Sequence, residues 1–169
     1  MERKRFDTAP CPIARSLDVL GDWWNPLILR ECLYGNTRFD TLQRWLDISR
    51  NILTRRLADL VATGLLDKVA YQHKPARFEY VLTDKGHDAC AVLMAVMPFG
   101  DRWFFRDGAH PIELRDRDTG ERVVPLVVDA TTGAVLDTRK LVPCPGPGFD
   151  APPDIVAERF AEYTAANTR

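Results

Sequence analysis

The chain has 169 residues, 46% of them hydrophobic and 28% charged, with 23 Lys+Arg against 24 Asp+Glu. That composition fits one or two small globular domains with enough apolar content for a buried core. No run of about 18 apolar residues exists, which excludes a helical membrane span. The basic start at residues 1–10 has no apolar stretch behind it, so no signal peptide is expected and the cytoplasm is the expected compartment.

Cys11, Cys32, Cys90 and Cys144 lie far apart. A structural zinc site needs thiolates or imidazoles in close-spaced pairs, so no metal is expected, and the thiols are expected to be reduced. Charge is unevenly spread. Residues 1–106 hold 16 Lys+Arg and 13 Asp+Glu, whereas residues 107–169 hold 7 and 11. The shift suggests two units with different partners.

Ile13, Leu17 and Leu20 fall at helical spacing, with Pro12 suited to a first turn and Gly21 to a stop. Asn25-Pro26 reads as an N-cap followed by Pro at the first helical position. Leu27, Ile28, Leu29, Cys32 and Leu33 then give a second helix a wide apolar face, ended by Gly35. Phe39, Leu42 and Leu46 mark a short third helix. After Asp47-Ile48-Ser49, with Ser49 as N-cap, a fourth helix carries Leu53, Leu57, Leu60 and Val61 on one face and stops at Gly64. Two helices joined by so short a connection form a helix-turn-helix pattern.

The period then changes. Leu66–Gln72 and Arg77–Leu82 read as strands separated by the basic loop His73-Lys74-Pro75-Ala76, a hairpin with a longer loop. Thr83-Asp84 opens a further helix with Ala89, Leu93 and Val96 on one stripe, which Pro98 should kink or break before Trp103-Phe104-Phe105. Helices, a helix-turn-helix and a basic-tipped hairpin make a winged helix. Beyond residue 107, Ile112–Arg115, Val123–Val128 and Leu141–Val142 are short strand-like runs. The turns between them, Asp118-Thr119-Gly120 and Thr131-Thr132-Gly133, are faintly alike. Pro143–Pro153 is Pro- and Gly-rich, and Ile155, Val156, Phe160 and Tyr163 suit one face of a last helix. The expected fold is α+β and mostly helical. It divides into a winged helix-turn-helix domain at 1–106, a small β-rich appendage at 107–145, and a linker with terminal helix at 146–169.

Five motifs in register carry a family resemblance. They are Cys11-Pro12; Gly21-Asp22-Trp23-Trp24 leading to Leu27-Ile28-Leu29-Arg30; Arg38-Phe39-Asp40 with Leu42; Ile48-Ser49 followed by Leu53-Thr54 and Arg56-Leu57; and Tyr71, Pro75, Arg77, Glu79-Tyr80, Leu82-Thr83 and Gly86. Over residues 11–105 the chain resembles the HxlR-type transcription regulators, bacterial winged-helix proteins related to the MarR group. The resemblance implies a homodimer built partly from terminal helices, with paired recognition helices and wings on double-stranded DNA. It also implies a thiol near Cys11 that in several members senses oxidants. The Trp23-Trp24 doublet and Pro98 depart from the family pattern. The tail resembles an accessory segment of longer members in which paired cysteines suggest a zinc ribbon. Here those turns lack cysteine.

With Leu53 pointing inward, Asn51, Thr54, Arg55 and Ala58 occupy the opposite face of the fourth helix. Arg forks onto guanine and Asn onto adenine in the major groove. Arg50 in the first turn sits where helix N-termini meet phosphate or bases. Lys74 and Arg77 flank the hairpin tip, within reach of phosphates or a minor groove, although Arg77 could instead pair with Glu79 or a helix carboxylate. Cys11 starts the first helix one turn before Arg15, an arrangement that favours thiolate, with burial at a dimer interface as the plainer alternative. Cys32 and Cys90 fall in apolar patterns and read as core. Trp23, Trp24 and Trp103 offer aromatic surface for a small-molecule effector pocket or, more simply, for packing. His73, His87 and His110 fit no metal or catalytic pattern, and no phosphate loop or nucleophile elbow appears, so an enzyme is not expected. A pseudo-palindromic operator is the expected partner. The alternative is a winged-helix module that binds protein, which would show apolar or acidic residues where this chain shows Arg50, Asn51, Thr54 and Arg55.

Overall fold

The computed structural model describes residues 5–106 and 109–148, together with 158, 160 and 161. The chain runs α1 (Pro12–Leu20), α2 (Trp24–Leu33), α3 (Phe39–Leu46), α4 (Arg50–Ala62), β1 (Leu66–His73), β2 (Ala76–Leu82) and α5 (Asp84–Phe104). It continues with β3 (Leu114–Arg115), β4 (Arg122–Val123) and a 3-10 turn at Thr138–Lys140. The buried apolar core follows the sequence stripes: Ile28, Leu29 and Cys32 from α2, Leu42 and Leu46 from α3, and Leu53, Leu57 and Leu60 from α4, closed by Ile48, Leu65, Leu66 and Cys90. Each fully buried Leu or Ile contributes about 1.5–3 kcal/mol from removal of apolar surface from water. α5 packs across α2 with Ala89 and Leu93 against the core.

The helix-turn-helix is set by local chemistry. Asp47 takes φ 48° at the end of α3, and the Ser49 hydroxyl accepts the Ile52 N–H at 3.4 Å to start α4. At the far end of α4 the chain is tied to α5. The Thr83 hydroxyl donates to the Gly64 carbonyl at 2.7 Å and accepts the Gly86 N–H at 3.1 Å. The Thr83 N–H bonds the Leu65 carbonyl at 3.2 Å, and Lys85 Nζ donates to the Thr63 carbonyl at 2.8 Å. Gly86 is buried so close to Leu65 that a Cβ would collide with the Leu65 carbonyl oxygen, which explains glycine inside a first helical turn.

Three expectations need correction. α2 begins at Trp24 with Trp23 in the cap position, not with Asn25 as cap. Asn25 is buried and its Nδ2 donates back to the Val19 carbonyl at 2.7 Å, while Asp22 Oδ1 accepts the Trp24 N–H at 3.0 Å. The wing loop is tighter than expected, because His73 pairs with Ala76 and only Lys74-Pro75 turn the corner, with a register irregularity between Ala70 and Gln72. Pro98 does not break α5, which runs on through Phe104. The ring removes one helical N–H bond, yet the helix continues, with Leu93 before it packed against the core and Met97, Pro98, Asp101 and Arg102 bordering a cleft shared with residues 110–125.

Past residue 109 the strands are shorter than expected. Leu114 pairs with Val123 and Arg115 with Arg122. Val128 and Val135 form a single bridge, and Leu141–Val142 is not a strand. The two similar turns prove to share one geometry that begins two residues before Asp118 and Thr131, at Asp116 and Asp129. In the first, Asp116 Oδ1 accepts the Asp118 and Thr119 N–H groups at 3.0 and 2.8 Å. In the second, Asp129 Oδ1 accepts the Thr131 N–H at 2.7 Å. Gly120 and Gly133 bond back to the Asp116 and Asp129 carbonyls with φ 71° and 70°. These donors hold both carboxyls below the usual aspartate range, Thr119 N–H leading for Asp116 and Thr131 N–H for Asp129. No residue of 109–148 is fully buried. Of the expected terminal helix, 158, 160 and 161 are helical with Phe160 half-buried. Ile155, Val156 and Tyr163 lie outside the described residues, as does the linker beyond 148.

Candidate nucleic-acid interface

α4 turns Leu53, Leu57 and Leu60 inward, which fixes the opposite face by geometry. Arg50, Asn51, Thr54, Arg55 and Ala58 are all exposed. The Arg50 guanidinium lies 5.0 Å from the Phe39 ring centroid, so it is held against α3 at the mouth of the helix-turn-helix. Thr54 Oγ1 donates to the Arg50 carbonyl at 2.8 Å. Among the described residues, no ion pair or ring contact engages Arg55.

The wing adds a second basic edge. Lys74 and Arg77 are exposed at its tip. Arg77 does not pair with Glu79, whose carboxylate accepts from Thr37 Oγ1 at 3.4 Å. Backbone contacts also fasten the wing to the helix-turn-helix: Arg38 and Glu79 form an antiparallel β-bridge, and the Tyr80 N–H bonds the Thr37 carbonyl at 2.8 Å. The Arg38 guanidinium stacks 4.4 Å from the Tyr71 ring centroid. The wing is thus fastened to the residues that open α3, and Arg50 and Arg55 on α4 and Lys74 and Arg77 on the wing are all exposed.

A family model of HxlR-like helix-turn-helix proteins matches residues 19–107. The chain belongs to the HxlR family. An uncharacterized HTH-type transcriptional regulator of Mycobacterium tuberculosis (strain H37Rv) is 40% identical to this HxlR protein over 139 residues, 82% of this chain and 88% of its own. That span is too long to fit within residues 1–106, so it takes in part of the appendage. The crystal structure of the candidate transcription factor PA1607 superposes with TM-score 0.73 at 37% identity, covering 82% of this chain and 96% of its own. The redox regulator HypR in its oxidized form matches with TM-score 0.51 at 28% identity, over 57% of this chain and 99% of its own. This HxlR member is accordingly a transcription regulator of the helix-turn-helix type, with a mostly helical α+β winged fold.

Cys11 occupies the N-cap position of α1 and is exposed. Arg15, one turn on, donates its Nε to the Ala9 carbonyl at 2.7 Å. Cys32 and Cys90 are buried, as their apolar settings suggested. Burial, with Cys90 and Glu31 nearby, pushes the Cys32 thiol up to about 12, and burial also raises Cys90. The three tryptophans do not share one pocket. Trp23, 88% exposed, lines a cavity of about 380 Å³ with Asp22, Trp24, Leu27 and Arg56. Trp103 stands near the end of α5 with the Arg102 guanidinium 5.3 Å from its ring centroid.

Sequence reasoning missed two polar clusters. Arg56, half-buried on α4, pairs with Asp22 at 2.7 Å and so ties α4 to the α1–α2 turn. Glu31 is buried on α2, accepting from Arg30 Nη2 at 2.6 Å and Asn36 Nδ2 at 2.7 Å. The signal for the first was available: Arg56 follows Arg55 but lies on the inward-turned flank, next to Leu53 and Leu57 in helical projection. Among the described residues no group of three or more His, Cys, Asp or Glu is placed to hold a metal ion, and no helix is long and apolar enough to cross a membrane.

Proposed function

We propose that the chain is a sequence-specific DNA-binding regulator that works in the cytoplasm as a homodimer on a pseudo-palindromic operator, with half-sites about one helical turn (~10 bp) apart. The observation that carries this reading is the exposed set of Arg50, Asn51 and Arg55 on α4, together with the exposed Lys74 and Arg77 on the wing. In this reading α4 enters the major groove. Arg55 and Asn51 read base edges, Arg50 and Thr54 contact the backbone or bases near the helix start, and Lys74 and Arg77 clamp phosphates.

Exposed apolar stripes support a dimer. Val92, Val96, Phe99 and Trp103 recur along one side of α5, and Ile13 and Leu17 along α1. Solvated stripes of this kind on terminal helices mark association surfaces. Residues 1–106 would then bind DNA and dimerise, while 107–145 form a metal-free accessory unit whose acidic balance adds nothing to DNA affinity. Cys11 is the thiol best placed for sensing: it is exposed at the start of α1, where a change can alter the separation of the two recognition helices. Only a modification that stabilises one arrangement over the other can switch binding. The likeness to HypR supports this second role.

Selection of bound fragments from random DNA by the purified protein tests binding, spacing and symmetry together. A protein that remains monomeric at micromolar concentration and retards no DNA at low salt would refute the reading, and would leave the interaction-module alternative. For Cys11, operator affinity is compared with and without diamide in wild type and Cys11→Ser. Equal losses in both proteins, or none in wild type, make Cys11 a packing residue.

A further inference from the structure

A second feature of α5 is unused by DNA binding. Between α2, the C-terminal half of α5 and residues 111–112 runs a groove of about 320 Å³, a volume suited to a small molecule. Its walls are mostly apolar, with Leu27 from α2, Met94 and Met97 from α5, and Ile112 from the appendage. Arg30 and Asp101 supply the charge.

The two charged groups differ in how far they are satisfied. Arg30 spends one end of its guanidinium on Glu31, Nη2 to Oε1 at 2.6 Å. Glu31 is already served by Asn36 as well. Arg30 Nε is buried without a hydrogen-bond partner, although a guanidinium has five N–H donors and a desolvated one is costly. Asp101, in contrast, faces His110, Oδ2 to Nδ1 at 3.6 Å. Nε itself is closed to a ligand, but the Arg30 side chain is 35% exposed and lines the groove, and a guanidinium at the edge of an apolar groove recognises a carboxylate. The Asp101 and Glu31 carboxylates nearby disfavour a second negative charge.

We propose that this groove binds an amphipathic monocarboxylate, with its carboxylate on Arg30 and its apolar body against Met94, Met97 and Ile112. The site joins the helix-turn-helix core, α5 and the appendage, so occupancy bears on how these three pack. The inference goes beyond the DNA-binding reading and does not need it, because binding is measured on the free protein. A chain that ignores DNA yet takes the acid, or the reverse, separates the two.

Calorimetry on the full chain with 3-phenylpropionate and, in parallel, 3-phenylpropan-1-ol is the test. The acid is expected to bind with 1:1 stoichiometry per chain and the alcohol roughly tenfold or more weakly, since the charge-assisted bond is lost. Arg30→Gln should erase that difference. Because this change also unpairs buried Glu31, a second variant is needed that leaves the fold intact. Gly100 lines the groove, and a Cβ there meets nothing within 4 Å, so Gly100→Phe fills the space and should abolish binding of both ligands while the oligomeric state stays that of wild type. Equal binding of acid and alcohol, no binding of either, or binding untouched by Gly100→Phe would each overturn the proposal. A change of oligomeric state in Gly100→Phe would overturn it too, by showing that a second copy occupies the groove.

Discussion

Truncating Arg55 and Lys74 in turn separates base reading from phosphate clamping. Both side chains are exposed, so neither change should alter folding stability by more than about 0.5 kcal/mol. Losses in DNA affinity can then be read directly. Arg55→Ala should cost about 1–3 kcal/mol per half-site on the preferred operator, and relax preference at one base position in each. Lys74→Ala should weaken operator and scrambled DNA alike. The four outward cations, Arg50, Arg55, Lys74 and Arg77, become eight in a dimer. If all met phosphate, the slope of log affinity against log salt would approach about −7. Removing two Lys74 contacts should bring it up by about 2. Fluorescence anisotropy of labelled operator and scrambled duplexes across a salt series measures both quantities. If Arg55→Ala loses the same factor on both duplexes, or Lys74→Ala discriminates between them, the assigned roles are wrong.

Breaking the Arg56–Asp22 pair with Arg56→Met should lower urea stability by about 2 kcal/mol, because Asp22 is left mostly buried without its guanidinium; a double-mutant cycle with Asp22→Asn should show coupling. Gly86→Ala should destabilise by about 1–3 kcal/mol in thermal melts, since the Leu65 backbone has to move to admit a Cβ, whereas Gly100→Ala should not destabilise. For the appendage, Asp116 and Asp129 have lowered pKa values in the folded state, so their contribution is complete above the unfolded aspartate pKa and disappears as pH falls through the lower folded values. Amide shifts of Asp118, Thr119 and Thr131 should therefore hold from pH 7 down to about pH 4 and move only below it.

The helical core was legible because its signal is periodic. Leu53, Leu57 and Leu60 repeat on one face, and that inward direction alone placed Asn51 and Arg55 outside. Ser49 and Thr83 were legible as caps because their hydroxyls have a local task. Errors arose where a distant group competed with a local preference. Asn25-Pro26 has the form of a helix start, but Asn25 is drawn to Val19 and Asp22 does the capping. Pro98 carries a local penalty, yet α5, anchored before it through Ala89 and Leu93, runs on through Phe104. The Arg38–Glu79 bridge and the Arg56–Asp22 pair join residues more than thirty apart in sequence, and no window of sequence contains both partners. In the appendage the resemblance of the two turns was visible in Thr-Gly, but the carboxylates that organise them, Asp116 and Asp129, sit just outside the matched stretch.

The tie between the end of α4 and the start of α5 gives α5 the mechanics of a lever. Thr83, Lys85 and Gly86 fix its first turn to Thr63, Gly64 and Leu65, with no linker in which a rotation could be absorbed. A helix of 21 residues is about 31 Å long, so a displacement of about 1 Å at Phe104 tilts its base by roughly 2°. Because α4 shares that base, the tilt is delivered to the whole reading head, and the Arg38–Glu79 bridge makes the wing travel with it. Small displacements at the distal end of α5 thus become changes in the tilt of the helix-turn-helix and wing as a unit, and in the proposed dimer they would alter the angle at which the two heads are presented.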